Sequence, residues 1–149
     1  MTVEEIKKME TTYSESKIQH TCVSWFRRTF PNIGHLLYAV PNGGYRTPKG
    51  GAMLRYEGAV SGVADLCLAI PRGGKGALYV EMKTPKMKGS SAGRQSDNQK
   101  MWEALVTKYG NEYKLCRGLV EFIEIVCKYL DIDIDTHIDD AANKYPMYL

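Results

Sequence analysis

The spacing of apolar residues divides the chain into elements before any chemistry is considered. Over positions 12–30, Ile18, Cys22, Trp25, Phe26 and Phe30 recur at helical spacing, and Pro31 ends the pattern. Positions 35–40 are apolar and strand-like. The stretch PNGGYRTPKGG at 41–51 is punctuated by Gly and Pro and reads as a loop, with a short helix expected over 53–57. Two apolar runs, 63–70 and 77–83, flank the turn residues Pro71, Arg72, Gly73 and Gly74, which predicts a hairpin. Positions 84–94 are basic, with Gly and Ser, and read as a loop. A helix is expected over 96–109, with Met101, Trp102, Leu105, Val106 and Tyr109 as its buried stripe. A fourth strand over 112–116 and a final helix over 118–130 complete the pattern.

Helix, three strands, helix, strand, helix is the order of an α/β domain with a central sheet flanked by helices. At 149 residues the chain suits one such domain. Positions 14–130 are its body, 1–13 an extension, and 131–149 an acidic tail without clear period, expected to be partly disordered or to dock on a partner. No apolar run approaches the roughly 20 residues that span a bilayer, and the first ten residues are too polar for a secretory signal. Cys22, Cys67, Cys116 and Cys127 are widely spread, form no CxxC pair and sit in apolar stretches. They read as buried thiols in a reducing compartment, not as zinc ligands.

Net charge is only +3, but its distribution is uneven. Positions 41–100 hold ten Lys and Arg against four Asp and Glu, whereas 131–149 hold five Asp and one Lys. Two of the four acids in the basic stretch, Asp65 and Glu81, lie inside apolar strands, so the surface there is more basic still, as a polyanion-binding face should be.

The third strand ends in Glu81-Met82-Lys83. Alternate side chains of a strand share a face, so Glu81 and Lys83 point the same way. Burying both is expensive without a purpose. A hard divalent cation supplies one: Glu81 and the Met82 carbonyl offer it oxygen ligands, and Lys83 can orient water or stabilise charge on phosphate. Asp65 adds a second carboxylate if its strand pairs with that of Glu81. The bland alternative is a solvent-facing hairpin with a weak Glu81–Lys83 pair.

Asp65 with Glu81-Met82-Lys83 resembles the PD-(D/E)xK nuclease superfamily, and more narrowly the virus-type replication-repair nuclease (VRR-Nuc) domain. The likeness runs from about Glu15 to Leu130 through ESKIQ (15–19), PNGG (41–44), GVADL (62–66), EMKTP (81–85), SDNQ (96–99) and CRG (116–118). Ala64 stands where the superfamily name expects proline, a turn position and not a ligand.

The resemblance implies a restriction-endonuclease-like fold with a mixed sheet, and a Mg2+- or Mn2+-dependent deoxyribonuclease without a nucleotide cofactor. It implies metal ligation by Asp65, Glu81 and the Met82 carbonyl, with Glu15 in support, and Lys83 as catalytic lysine. Glu15 matches an acidic residue of the family's first helix, and Ile18, Cys22 and Phe26 place it on the buried face. Its rival role is a capping box with Thr12. Gln99 matches a family glutamine near the lysine, yet Ser96-x-x-Gln99 is also a capping-box pattern. The loop with Asn42, Arg46 and Lys49, and the basic group Arg72, Lys75, Lys86, Lys88 and Arg94, are candidate DNA contacts. Structure-selective action on branched DNA such as four-way junctions, as a homodimer in a bacterial or phage-infected cytoplasm away from membranes, completes the expectation. The competing functions are a non-catalytic DNA-binding subunit, a general restriction-type endonuclease and a protein-interaction module.

Overall fold

A computed structural model of the chain describes residues 1–41, 48–85 and 94–149. In chain order the elements are α1 (Val3–Glu10), α2 (Glu15–Thr29), β1 (Leu37–Ala39), α3 (Pro48–Tyr56), β2 (Leu66–Leu68), β3 (Leu78–Met82), α4 (Asp97–Lys108), β4 (Glu112–Cys116), α5 (Leu119–Leu130) and α6 (Ile134–Lys144), followed by a 3-10 turn over Tyr145–Tyr148. The sheet order is β1-β2-β3-β4, antiparallel across the first two pairings and parallel across the third. It is the mixed sheet flanked by helices that the sequence predicts, with β2 and β3 forming the expected hairpin.

The two-residue period of the strands sets the faces of the sheet. Leu66 and Leu68 of β2, and Leu78, Val80 and Met82 of β3, join Ile18, Cys22, Trp25 and Phe26 of α2 and Phe122, Ile123 and Val126 of α5 in one buried core. Trp25 meets Phe122 edge-on at 6.1 Å, the geometry that aromatic quadrupoles favour. The opposite face carries Tyr79, Glu81 and Tyr113, against which α4 sets Trp102; its ring lies 4.9 Å from that of Tyr79. All four cysteines are buried and unbridged.

Two sequence expectations are corrected. The expected stripe of α4 divides: Trp102 and Val106 are half-buried, Met101, Leu105 and Tyr109 are exposed, and no residue of that helix is fully buried. Two apolar stripes compete on α4, and the sheet takes the one that carries Gln99, Trp102 and Val106, because Trp102 fits between Tyr79 and Tyr113. The tail is also no loose appendage. Asp133 caps α6 by accepting from the Thr136 amide at 3.0 Å, and Ala141, Ala142, Tyr145 and Tyr148 are buried in the core. With Ile134 and Ile138 these positions repeat every three or four residues, a helical stripe masked by three interspersed aspartates, Asp135, Asp139 and Asp140.

The N-terminal extension also folds. Thr2 and Glu5 form a capping box for α1, and Glu10 at its end is buried. The Glu10 carboxylate accepts from the Leu119 amide at 2.8 Å, capping α5 from a remote helix. A Cβ at Gly118 would stand 2.6 Å from Glu10 Oε1, so any larger residue there obliges the capping carboxylate to shift. Burial pushes the Glu10 carboxyl above the usual range.

Candidate active site

Where β2 gives out, β3 continues, and this difference in length makes the site. The last β2–β3 partners are Leu66 and Val80. One residue before β2, Asp65 turns its side chain onto the strand it no longer pairs with: Oδ2 accepts from the Met82 amide at 2.7 Å. The carbonyl of a strand residue shares an edge with its own amide, so the Met82 carbonyl faces the Asp65 side. On the other edge, the Lys83 amide donates to the Cys116 carbonyl at 2.8 Å, extending the parallel ladder to the catalytic candidate itself.

Glu81 is 2% exposed and Lys83 8%. Their charged ends lie 3.8 Å apart, and Gln99 bridges them more tightly than they bridge each other. Gln99 Nε2 donates to Glu81 Oε1 at 2.7 Å, and Gln99 Oε1 accepts from Lys83 Nζ at 3.0 Å. The same Oε1 accepts from the Ser96 amide at 2.8 Å, while Ser96 Oγ accepts from the Gln99 amide at 3.2 Å. The two readings of Gln99 are therefore not alternatives. One side chain caps α4 and ties it to the carboxylate and the ammonium.

The electrostatics of Glu81 are strained. Its Oε2 is buried and receives no hydrogen bond. Burial, and then the Asp65 carboxylate beside it, push the Glu81 carboxyl up to about 8, against the opposing pull of Lys83. Two carboxylates facing each other without a donor between them are costly unless a proton or a cation joins them. An orphaned buried oxygen, a second carboxylate and a main-chain carbonyl on the same edge form an all-oxygen donor set that fits a hard divalent cation.

Glu15 stands further out. It is the first residue of α2 and is exposed, not on the buried face that its spacing suggests. Partial burial, followed by repulsion from Asp65, raises its carboxyl, with Lys83 opposing. It therefore borders the site electrostatically, but among the described residues no three His, Cys, Asp or Glu side chains gather as a metal cluster. The capping-box alternative does not form: Ser14 caps α2, and the Thr12 hydroxyl donates to the Met9 carbonyl.

The basic candidates separate. Lys49 lies on α3 and Arg94 just ahead of α4, both exposed. Arg72 and Lys75 occupy the hairpin turn before Leu78, one strand length, roughly 16 Å, from Lys83. Arg72 is further committed there, donating to the Leu130 carbonyl at 2.8 Å. These two do not join the site. Asn42, Arg46, Lys86 and Lys88 lie outside the described residues.

Sequence reading missed a clamp beside the site. Gly62 has φ +91, and a Cβ there would meet the Asn98 carbonyl at 2.4 Å. Asn98 Nδ2 also donates to Ser61 Oγ at 3.0 Å. The turn leading to Asp65 is thus pressed against the start of α4, next to Gln99. Gly62 alone marked a turn, but nothing in the sequence named its partner. Tyr113 was missed as well: Gln95 Nε2 donates to its hydroxyl at 3.2 Å and to Glu103 at 2.8 Å, which fixes the approach to α4.

The model of the VRR-NUC domain family matches residues 13–119. A solved VRR_NUC domain protein superposes with a TM-score of 0.66 at 20% identity, over 80% of this chain and 90% of that one. At that identity the likeness concerns the fold. No curated protein matches the chain.

Proposed function

Because the chain belongs to the VRR-NUC domain family and carries its nuclease-type domain, we propose that it is a metal-dependent deoxyribonuclease acting on branched DNA, four-way junctions included. The observation that carries this reading is the convergence of Asp65, Glu81, Lys83 and Gln99, with one buried carboxylate oxygen left without a donor.

Asp65, Glu81 and the Met82 carbonyl would hold one magnesium or manganese ion, with Glu15 adding negative charge at the rim. When bound, such an ion supplies Lewis-acid stabilisation of charge developing on the scissile phosphate. The protein's own part is positioning. Lys83 Nζ has three donors and Gln99 Oε1 accepts one, with Glu81 held only as an ion pair at 3.8 Å, so a donor remains to orient the attacking water or bond a phosphate oxygen. Gln99 fixes the lysine's reach through its hold on α4. The reaction is direct hydrolysis of the phosphodiester by water, with no covalent enzyme intermediate.

The basic middle of the chain supplies attraction to DNA, and the short loops leave no dedicated base-reading element among the described residues, which favours recognition of shape over sequence. The exposed stripe Met101, Leu105 and Tyr109 supports assembly as a homodimer, which would present two sites to one branched substrate; light scattering tests it. Among the described residues no helix is long and apolar enough to cross a membrane.

The testing experiment is a cleavage assay on duplex, flap and four-way-junction DNA with magnesium, manganese or a chelator. Cutting that requires the metal and favours the junction is expected. Absence of cutting on all three substrates with either metal overturns the reading.

A further inference from the structure

Helix α3 has no buried residue. A nine-residue helix that contributes nothing to the core needs another reason to be there. Its outward face is specific in composition. Lys49, Met53 and Tyr56 follow one another at i, i+4 and i+7, so they stack along one side, and all three are exposed. Met53 is 53% exposed and Tyr56 88%, an aromatic ring standing almost wholly in water. Arg55 adds a second cation, and α3 contains no acid, Glu57 falling just beyond its end.

The position of α3 is fixed relative to the site. The Ala59 amide bonds to the Leu54 carbonyl at 2.9 Å and the Gly58 amide to the Arg55 carbonyl at 3.0 Å, with Gly58 at φ +108. This is a Schellman ending, and it turns the chain sharply out of the helix. Three residues later comes Ser61, held by Asn98 beside Gln99. Pro41, Leu54, Arg55, Val60 and Ser61 line one small cavity, and Val40, next to Pro41, donates its amide to the Asp65 carbonyl at 2.8 Å. α3 is therefore a flank of the Asp65 turn. The nine residues from Tyr56 to Asp65 span at most about 31 Å, so α3 lies within about nine base steps of 3.4 Å from the site.

We propose that the Lys49–Met53–Tyr56 face of α3 is a platform for unpaired DNA, on which the Tyr56 ring stacks against an extruded base while Lys49 and Arg55 hold the flanking phosphates. A thioether and a phenol ring offer a base a flat polarizable surface without sequence preference. Cations at both ends match the phosphates, and the acid-free helix favours a polyanion over a protein partner. The inference rests on the nuclease reading only for its choice of DNA, and it adds what that reading lacks, a residue that tells unpaired from paired DNA.

The test separates the two. Binding of a fluorescent oligothymidine strand and of a blunt duplex of equal length is measured by anisotropy in chelator, where cleavage plays no part. Tyr56→Ala is expected to bind the single strand roughly ten- to a hundredfold more weakly than the unaltered protein, with duplex binding changed less than threefold. Tyr56→Trp restores the single-strand affinity. Arg55→Ala weakens both DNAs alike and reduces the salt dependence by about one counterion. Equal single-strand affinity for Tyr56→Ala and the unaltered protein overturns the platform, as does a Tyr56→Ala variant whose main change is a shift of oligomeric state in light scattering. Cleavage by the unaltered protein with magnesium is scored separately. Its absence would overturn the nuclease reading while the binding comparison still decides the platform.

Discussion

Replacing Glu81 with glutamine should destroy the activity and yet make the metal-free protein more stable. Glu81 Oε2 is buried without a donor, and its carboxyl is pushed from 4.5 to about 8 by burial and by Asp65. For an acid whose folded pKa is raised, the native state holds a proton that the unfolded chain has already released. The cost is absent below about pH 4.5, grows as pH rises through the interval, and is complete above about pH 8. A displacement of that size corresponds to a ceiling of about 5 kcal/mol. Asp65 and Glu81 share the repulsion, and the variant loses the Lys83 ion pair, so a net gain of about 2 kcal/mol is expected at pH 8. The glutamine keeps an oxygen for Gln99 Nε2 and offers Asp65 an amide where the carboxylate offered none. For a chain of this length the gain raises Tm by roughly 4–8 °C. Thermal unfolding in chelator at pH 5 and pH 8 measures it: the variant's advantage should appear at pH 8 and nearly vanish at pH 5. A lower Tm at pH 8, or the same difference at both pH values, would refute the idea that the site stores carboxylate repulsion.

Three further expectations follow from neighbouring contacts. Gly62→Ala forces a side chain into φ +91 and against the Asn98 carbonyl, costing about 2–4 kcal/mol in chemical denaturation and lowering activity by displacing the start of α4; wild-type stability would remove the clamp. Gln99→Ala frees Lys83 and Glu81 from their shared partner and should reduce kcat roughly 10- to 100-fold with KM for DNA little changed, and Gln99→Glu should not rescue it; an effect confined to KM would assign Gln99 to binding. Ending the chain after Asp133 removes Ala141, Ala142, Tyr145 and Tyr148 from the core; at about 1.5–3 kcal/mol for each large side chain the truncated protein should fail to fold cooperatively by circular dichroism, and a sharp native-like melt would show the segment dispensable.

The strands were legible in the sequence as short apolar runs, since β2 and β3 are buried on both faces, and α2 because its apolar residues recur on one buried face. On α4 it was not: Met101, Leu105 and Tyr109 repeat as cleanly as Gln99, Trp102 and Val106, and only the tyrosines of the sheet decide between them. The α6 stripe was hidden by its aspartates, which lie between the apolar positions without breaking their period. Asp65, Glu81 and Lys83 were findable from buried charge in apolar strands. Local pattern could not show that Gln99 serves cap and site at once, or that Ser61 and Gly62 brace Asn98, since these contacts join positions 16 to 37 residues apart.

Lys83 carries the central claim most directly, because it has no place in the core and no role in metal ligation. End-labelled junction DNA incubated with magnesium should be cut by the unaltered protein, while Lys83→Ala should cut roughly 100- to 1,000-fold more slowly, on the order of a lost charge-stabilising donor, and should bind the junction within about threefold of normal affinity. Cleavage by Lys83→Ala at the normal rate would contradict the assignment of the site.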